Sequence, residues 1–240
     1  MKKITLILIF ILSLVPKQAQ SQNGGAAAAV AGGLLAIGAG IVAVEDMKER
    51  AELTATQYIL ESHPELNSFS LKTLDFNGKK TKDMSATSVI SFKIQEFSPS
   101  DNPKLDGKKM VLLAFTSFGW ISDQGIDFNK VQWYLIDSNE WLNMMVAYAK
   151  VASKEKSDTV LKETLTNGVV VNKGIKAKGK SEIPFFKLEG DMYLVTDYSS
   201  EMKLVYNEKT LGIFLKKTGN LVQMARGAVI DTHEFLFQKN

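Results

Sequence analysis

The chain has 240 residues, of which 45% are hydrophobic and 23% are charged, and it contains no cysteine. This composition fits one or two folded domains and excludes a chain that is disordered throughout. The formal net charge is +3, and its meaning depends on how the first residues are interpreted.

Residues 1–21 have the organisation of a secretory signal peptide. Lys2 and Lys3 precede an apolar run from Ile4 to Val15, and Ala19-Gln20-Ser21 supplies small residues for cleavage before Gln22. An uncleaved anchor is the alternative, but twelve apolar residues are too few to span a bilayer. Loss of this leader removes three lysines and leaves 26 basic and 26 acidic residues. Because a neutral chain lacks the field that attracts nucleic acid, we expect no such partner.

Residues 24–44, here called the small-residue segment, contain only Gly, Ala, Val, Leu and Ile. Small residues recur every four positions, which on a helix makes smooth ridges that another backbone can approach closely. The segment resembles the glycine-zipper segments of some bacterial envelope proteins, and the resemblance implies close packing only. One predicted ridge contains Ala28, Gly32, Ala36 and Gly40, and a second contains Gly25, Ala29 and Gly33.

Three interpretations of this segment are open. It could enter a membrane, although only seven of its 21 residues are Val, Leu or Ile, which makes insertion without a partner marginal. It could be a flexible linker or a buried helix of the same domain. We favour packing against a membrane-embedded protein partner, with self-association as a variant, because small side chains permit close contact.

The sequence changes abruptly after residue 44. Residues 45–62 carry acidic side chains, among them Glu45, Asp46 and Glu49, while apolar residues recur at helical spacing. Pro64 ends the pattern. We therefore predict one helix over about residues 26–62, with the acidic row facing water or a basic partner. Glu45, Asp46 and Glu49 join the predicted partner-binding set. The predicted apolar stripe contains Val44, Met47, Ala51, Ala55, Tyr58 and Ile59.

The remaining chain alternates between strand patterns and two helices. Asp137 is a predicted N-cap for a nearly all-apolar core helix over residues 138–153, and Ser157 begins a shorter helix that ends at Asn167-Gly168. The predicted fold class is α+β: a long N-terminal helix, then a mostly antiparallel β domain with two inserted helices. The predicted divisions are a leader (1–21), the apolar and acidic helix (22–66) and the α+β domain (67–240). The predicted strands are 69–76, 88–97, 110–118, 130–136, 169–175, 184–189, 192–197, 202–206, 211–216, 221–225 and 235–238.

Signals for catalysis are sparse. His63 precedes Pro64 at a helix end, where capping or solvation is expected. His233 follows Asp231, and on the predicted strand end the two would share a face, which makes His233 a candidate general base. We predict no metal or cofactor, since the chain has neither cysteine nor an H-E-x-x-H sequence. Trp120 would be a contact site if it were exposed.

The leading hypothesis is a non-enzymatic exported envelope protein, periplasmic or associated with the outer membrane. It would be an accessory, docking or plug subunit of an outer-membrane secretion or transport complex, contacting its partner through the N-terminal helix. One alternative is a soluble binding protein with an apolar pocket between the sheet and the 138–153 helix. The others are an exported hydrolase that uses His233 and an effector that inserts the small-residue segment into a target membrane.

Overall fold

The computed structural model describes residues 44–76, 88–117, 120–122, 125–171, 174–177, 180–184, 194–206 and 210–237. Within these ranges helices combine with antiparallel sheets, which confirms the α+β class. The described helices are α1 (Val44–Ser62), α2 (Ser138–Ala152), α3 (Asp158–Asn167) and α4 (Arg226–Phe237), with a 3-10 turn at Phe128–Lys130.

The first sheet has four antiparallel strands in the order β1-β2-β3-β6, and a short hairpin, β4-β5, lies between its last two strands in sequence. The predicted strands in this part of the chain are confirmed, and each predicted end lies within two residues of the observed end. The bounds are β1 (Phe69–Phe76), β2 (Ser88–Glu96), β3 (Lys109–Thr116), β4 (Ile121–Ser122), β5 (Gly125–Ile126) and β6 (Val131–Asp137).

Two further sheets form antiparallel meanders, and the regular turn signals predict the four-stranded one. The predicted strand 184–189 lies outside the described residues except for Pro184, and a strand over residues 180–184 is not among the predictions. Residues 169–175, predicted as one strand, instead contribute to two strands, β7 and β8. The small sheet contains β7 (Val169–Val171), β8 (Gly174–Ala177) and β9 (Lys180–Pro184). The second four-stranded sheet contains β10 (Leu194–Asp197), β11 (Met202–Tyr206), β12 (Thr210–Leu215) and β13 (Asn220–Ala225).

The first sheet separates two hydrophobic cores. Successive side chains of a strand point to opposite faces, and β3 is apolar on both: Leu112 packs in the core shared with α1, while Leu113 packs in the core shared with the other helices and the second sheet. Both side chains are fully buried. The molecule is therefore layered, with α1 on one face of the first sheet and α2, α3, α4 and the second sheet on the other side.

A β-bulge lets β1 face the α1 core along most of its length. The pairing with β2 shifts between Thr73 and Asp75, so Leu71 and Phe76 pack in the same core although they lie five residues apart. A bulge adds one residue to one strand and changes which face the following side chains meet. Alternation in the sequence alone does not reveal this shift.

Caps set the bounds of α2 and α3. The Asp137 side chain accepts hydrogen bonds from the backbone N–H groups of Asn139 and Glu140, each at 3.0 Å, and Ser157 caps α3 by accepting from Val160 N–H. The Gly168 N–H donates to the Thr164 carbonyl at 2.7 Å. These contacts confirm the predicted helix starts and the Asn167-Gly168 end.

The predicted strand over residues 235–238 is wrong, because residues 226–237 form helix α4. Its buried residues recur at helical spacing and include two polar side chains, Thr232 and His233. The short apolar run from Phe235 to Phe237 favoured a strand when considered alone. Packing of the whole segment against the first sheet determines its helical structure.

Candidate functional site

Helix α1 is an integral part of the folded domain. Ala51, Ala55 and Ile59 are 0–2% exposed and pack on the first sheet with Leu71 and Phe92. Their four-residue spacing is that of one helix face. The predicted apolar stripe is thus confirmed for these residues, and the chain that precedes Val44 enters the domain through a helix with a buried face.

A carboxylate fixes α1 to the edge strand β1. Glu52 accepts hydrogen bonds from the Thr73 N–H at 2.8 Å, from the Thr73 hydroxyl at 2.9 Å and from the Lys72 ammonium at 3.2 Å. Burial alone would raise the pKa of Glu52, but these hydrogen bonds and the Lys72 charge together lower it. The contact lies at the bulge, where it satisfies a backbone donor of an edge strand.

An aromatic stack fixes α1 to the opposite edge strand. The Tyr58 ring lies on the Trp133 ring of β6 with centroids 5.0 Å apart and planes inclined by 15°. Trp133 also contacts Phe92 in the sheet. Helix α1 therefore spans the sheet between its two edges, held by a charged group at β1 and by aromatic contact at β6.

The predicted partner-binding residues divide into three groups. Glu49 is exposed on α1, as expected for a solvent- or partner-facing acid. Glu45 and Asp46 lie in the first turn of α1. The seven residues of the two ridges, Gly25, Ala28, Ala29, Gly32, Gly33, Ala36 and Gly40, lie outside the described residues, as does the predicted helix before Val44.

The outward face of α1 combines acids with apolar side chains. Leu53 and Leu60 are 43% and 44% exposed, and they lie on the same face as Gln57, whose amide donates to the Glu61 carboxylate at 2.8 Å. Single exposed leucines are common on protein surfaces. This face is accessible to a partner, but its geometry alone does not identify one.

A cleft of about 560 Å³ lies on the other side of the first sheet, at the ends of three helices. This volume falls in the usual range for small-ligand sites. Lys108, at its edge, pairs with Asp137 at 3.4 Å, and Lys109 lies 5.6 Å from the centre of the Phe235 ring. The lining comprises residues 106–109, Gln95, Ser138, Thr166 and Asn167, Leu236 and Phe237.

His233 does not have the geometry of the predicted general base. It is 3% exposed on α4, and both ring nitrogens have protein partners: Trp141 Nε1–H donates to Nδ1 at 3.2 Å, and Nε2–H donates to the Leu165 carbonyl at 2.8 Å. Asp231 is exposed on the same helix, where residues two apart do not share a face. The pairing expected from a strand is therefore wrong.

The aromatic and methionine residues of α2 belong to the hydrophobic core on the α2 side of the first sheet. Trp141, Met144, Met145 and Tyr148 are 0% exposed, so they line no solvent-filled pocket between the sheet and α2. Trp120 is 3% exposed and packs in the α1 core, so it is not an exposed contact residue.

Helix α1 ends at Ser62, immediately before His63, as expected from Pro64. The His63 N–H donates to the Ile59 carbonyl at 2.8 Å, and the His63 Nδ1 lies 3.2 Å from a Glu65 carboxylate oxygen. Among the described residues, no group of three or more histidine or acidic side chains is placed to hold a metal ion. The described helices include none with the length and apolar character needed to cross a membrane.

The hydrogen bonds of Glu52 and of His233 are difficult to predict from the sequence. The Glu52 contact joins residues 21 apart, and the His233 contacts join residues 68 and 92 apart. The spacing of Val229, His233 and Leu236 on α4 is the one signal that could have predicted a buried helix face.

Comparison with known proteins gives no match: no family model fits the sequence, and no curated protein or solved structure is significantly similar to the chain.

Proposed function

We propose that this protein is a non-enzymatic, exported envelope protein that docks on a membrane-embedded partner through the small-residue segment. It would be an accessory, docking or plug subunit of an outer-membrane secretion or transport complex. The proposal combines a leader-like N-terminus with a segment of 21 residues that has no polar side chain. Small side chains favour close packing against another helix over insertion into lipid alone.

The observation that carries the proposal is the attachment of α1. The small-residue segment leads directly into a helix that is buried against the first sheet and held by Glu52 and Tyr58. A partner that bound the segment would therefore gain a firmly attached folded domain. This arrangement supports a docking role more than a free linker would.

The exposed surface of α1 supports the same proposal. Glu49 and Glu61 are exposed beside Leu53 and Leu60, so the helix presents a mixed acidic and apolar face next to the segment. Such a face suits the polar rim of an interface with a partially basic partner.

The alternative of an apolar-ligand protein has less support. The side chains expected to line its pocket are fully buried core residues of α2, and the cleft of about 560 Å³ lies at the ends of α2, α3 and α4, away from the buried face of α2. The hydrolase alternative loses its motivating geometry, since His233 is buried and both of its ring nitrogens are occupied.

The experiment is affinity purification of the tagged protein from native membranes in mild detergent, followed by mass spectrometry. A deletion of residues 24–43 removes the segment while keeping α1 from its first residue, Val44. The paired substitution Gly32→Leu and Gly40→Leu blocks one ridge, and Ile37→Val, outside both ridges, is the matched control.

We expect one outer-membrane protein to be recovered in stoichiometric amount with the natural sequence and with Ile37→Val. It should be lost from the deletion and from the double substitution. Recovery of the same protein with the deletion variant would contradict docking through the segment. Recovery of every form alone would contradict the subunit role.

A further inference from the structure

One imidazole joins the three helix ends that line the cleft. Trp141 lies one turn into α2, Leu165 lies in the last turn of α3, and Phe237 ends α4. Trp141 and Leu165 each hydrogen-bond the ring of His233, and Phe237 stacks on it with centroids 4.6 Å apart. The cleft is lined by Ser138, which lies three residues before Trp141, by Thr166, which follows Leu165, and by Phe237 itself.

The contacts of His233 require a neutral ring. The indole N–H of Trp141 can only donate a hydrogen bond, so Nδ1 of His233 must carry no proton. The Leu165 carbonyl can only accept, so Nε2 must carry the proton. Adding a second proton at Nδ1 would place two N–H groups against each other and remove the bond to α2.

The ring has no acidic partner that would stabilise its charged form. Burial is the main cause that lowers the pKa of His233 from 6.5 to about 4, and the hydrogen bond to Leu165 opposes it in part. No charged side chain contributes to this shift. The charged residues on the elements around the ring are Glu140 and Lys150 on α2, Asp158, Lys162 and Glu163 on α3, Arg226, Asp231 and Glu234 on α4, Lys109 on β3, and Lys72 and Asp75 on β1.

These charged groups are directed elsewhere or lie at the surface. The Glu140 carboxylate accepts a hydrogen bond from the Tyr198 hydroxyl at 2.7 Å, and Lys109 lies over Phe235. Lys150 pairs with Asp158, and Lys72 pairs with Glu52. The remaining groups are exposed (Lys162, Glu163 and Asp231) or half-buried (Arg226, Asp75 and Glu234). The ring is thus enclosed by the indole, the carbonyl and the phenyl ring.

We propose that the His233 imidazole is a proton-sensitive clasp, which holds the three helix ends of the cleft together while neutral and releases α4 when it gains a proton. The cleft would then widen on its α4 side, because Leu236 and Phe237 form that wall. The clasp is independent of docking through the small-residue segment.

The pH range of the clasp follows from the two pKa values. In the closed state the pKa of His233 is about 4, and a solvated ring in the open state has the ordinary value of 6.5. The open state therefore binds the proton more readily between these values. Opening of α4 should increase about tenfold for each pH unit below pH 6.5 and level off near pH 4.

The test is hydrogen exchange of the purified chain, read by mass spectrometry between about pH 7 and about pH 4 and corrected for the intrinsic pH dependence of exchange. We expect the amides of α4 to lose protection progressively, while those of β2 and β3 keep theirs. In His233→Gln, opening of α4 should lose this pH dependence. His63→Gln, which changes the only other histidine, should retain it.

A measurement on the natural sequence covers the case in which His233→Gln does not fold. NMR titration of the imidazole nitrogens should show Nδ1 unprotonated at neutral pH and a pKa well below 6.5. A ring that titrates near 6.5 would overturn the proposal. So would an unchanged acid profile in a folded His233→Gln, or simultaneous loss of protection in α4 and the first sheet.

Discussion

Helices α1 and α4 lie on opposite sides of the first sheet, and each is held by one ionisable side chain. Glu52 on α1 is charged, partly solvated and bound by three donors, whereas His233 on α4 is neutral and enclosed. The pKa of each group is lowered. For the carboxylate this favours the charged form, and for the imidazole it favours the neutral form.

The difference places the two contacts in separate pH ranges. The stabilising effect of Glu52 is complete above its ordinary pKa of 4.5 and is lost as the pH falls through its lowered folded-state value. The effect of His233 is complete above pH 6.5 and is lost as the pH falls towards about 4. Acid should therefore weaken the attachment of α4 before that of α1.

The largest expected effect comes from Trp141→Ala. Trp141 is fully buried and donates to His233, so this change leaves a large cavity and an unpaired ring nitrogen. We expect the free energy of unfolding to fall by about 3–5 kcal/mol, measured by urea denaturation. Trp141→Phe keeps most of the volume and should cost about 1–3 kcal/mol, chiefly from the lost hydrogen bond. Equal losses in the two variants would mean that the hydrogen bond, rather than the packing, dominates.

Ile59→Ala is the corresponding change in the α1 core. Ile59 is fully buried between α1 and the sheet, so the expected loss is about 2–5 kcal/mol. The same denaturation experiment measures this loss. The control is Leu60→Ala at an exposed position, which should change the free energy of unfolding by no more than about 0.5 kcal/mol. A negligible effect of Ile59→Ala would contradict the attachment of α1 to the sheet.

Glu52→Gln tests the charged contact. The amide oxygen can still accept both hydrogen bonds from Thr73, but the variant loses the bond from Lys72 to the second carboxylate oxygen and the charge that strengthens these contacts. We expect a loss of about 1–2 kcal/mol at neutral pH and a smaller loss of stability below pH 4.5 than in the natural sequence. Glu49→Gln, at an exposed position of the same helix, should change neither quantity.

The smallest predicted effect is that of Tyr58→Leu, which keeps an apolar side chain but removes the stack on Trp133. We expect a loss of about 0.5–1.5 kcal/mol, measured by thermal denaturation. Trp133→Leu and the double variant complete a thermodynamic cycle. If the two single changes were strictly additive, the stack would contribute no coupling to the attachment of α1.

Local signals predicted the local features well. Asp137 and Ser157 at helix starts and Gly168 at a helix end act within four residues, so the sequence contains all the groups involved. The doubly buried strand β3 was predictable because its run is apolar on both faces. The second four-stranded sheet was predictable from its regularly spaced turns, one of which contains Gly219 with a φ of 72°.

Features that depend on distant contacts were not predictable in the same way. Helix α4 buries Thr232 and His233. Because these two residues are polar, they interrupt the apolar pattern that would otherwise indicate a buried helix face. The change of face at the β1 bulge requires the register with β2. The cleft arises where the ends of α2, α3 and α4 meet. Local sequence patterns predict single elements but do not predict which elements become neighbours in the fold.

The most direct test of the account is hydrogen exchange at neutral pH, on the full chain and on the form lacking residues 24–43. If α1 belongs to the folded domain and does not depend on the segment before it, the α1 amides from Ala51 to Ile59 should be protected as strongly as those of β2, and equally in the two forms. Exchange of α1 at the rate of a free peptide in either form would contradict this account.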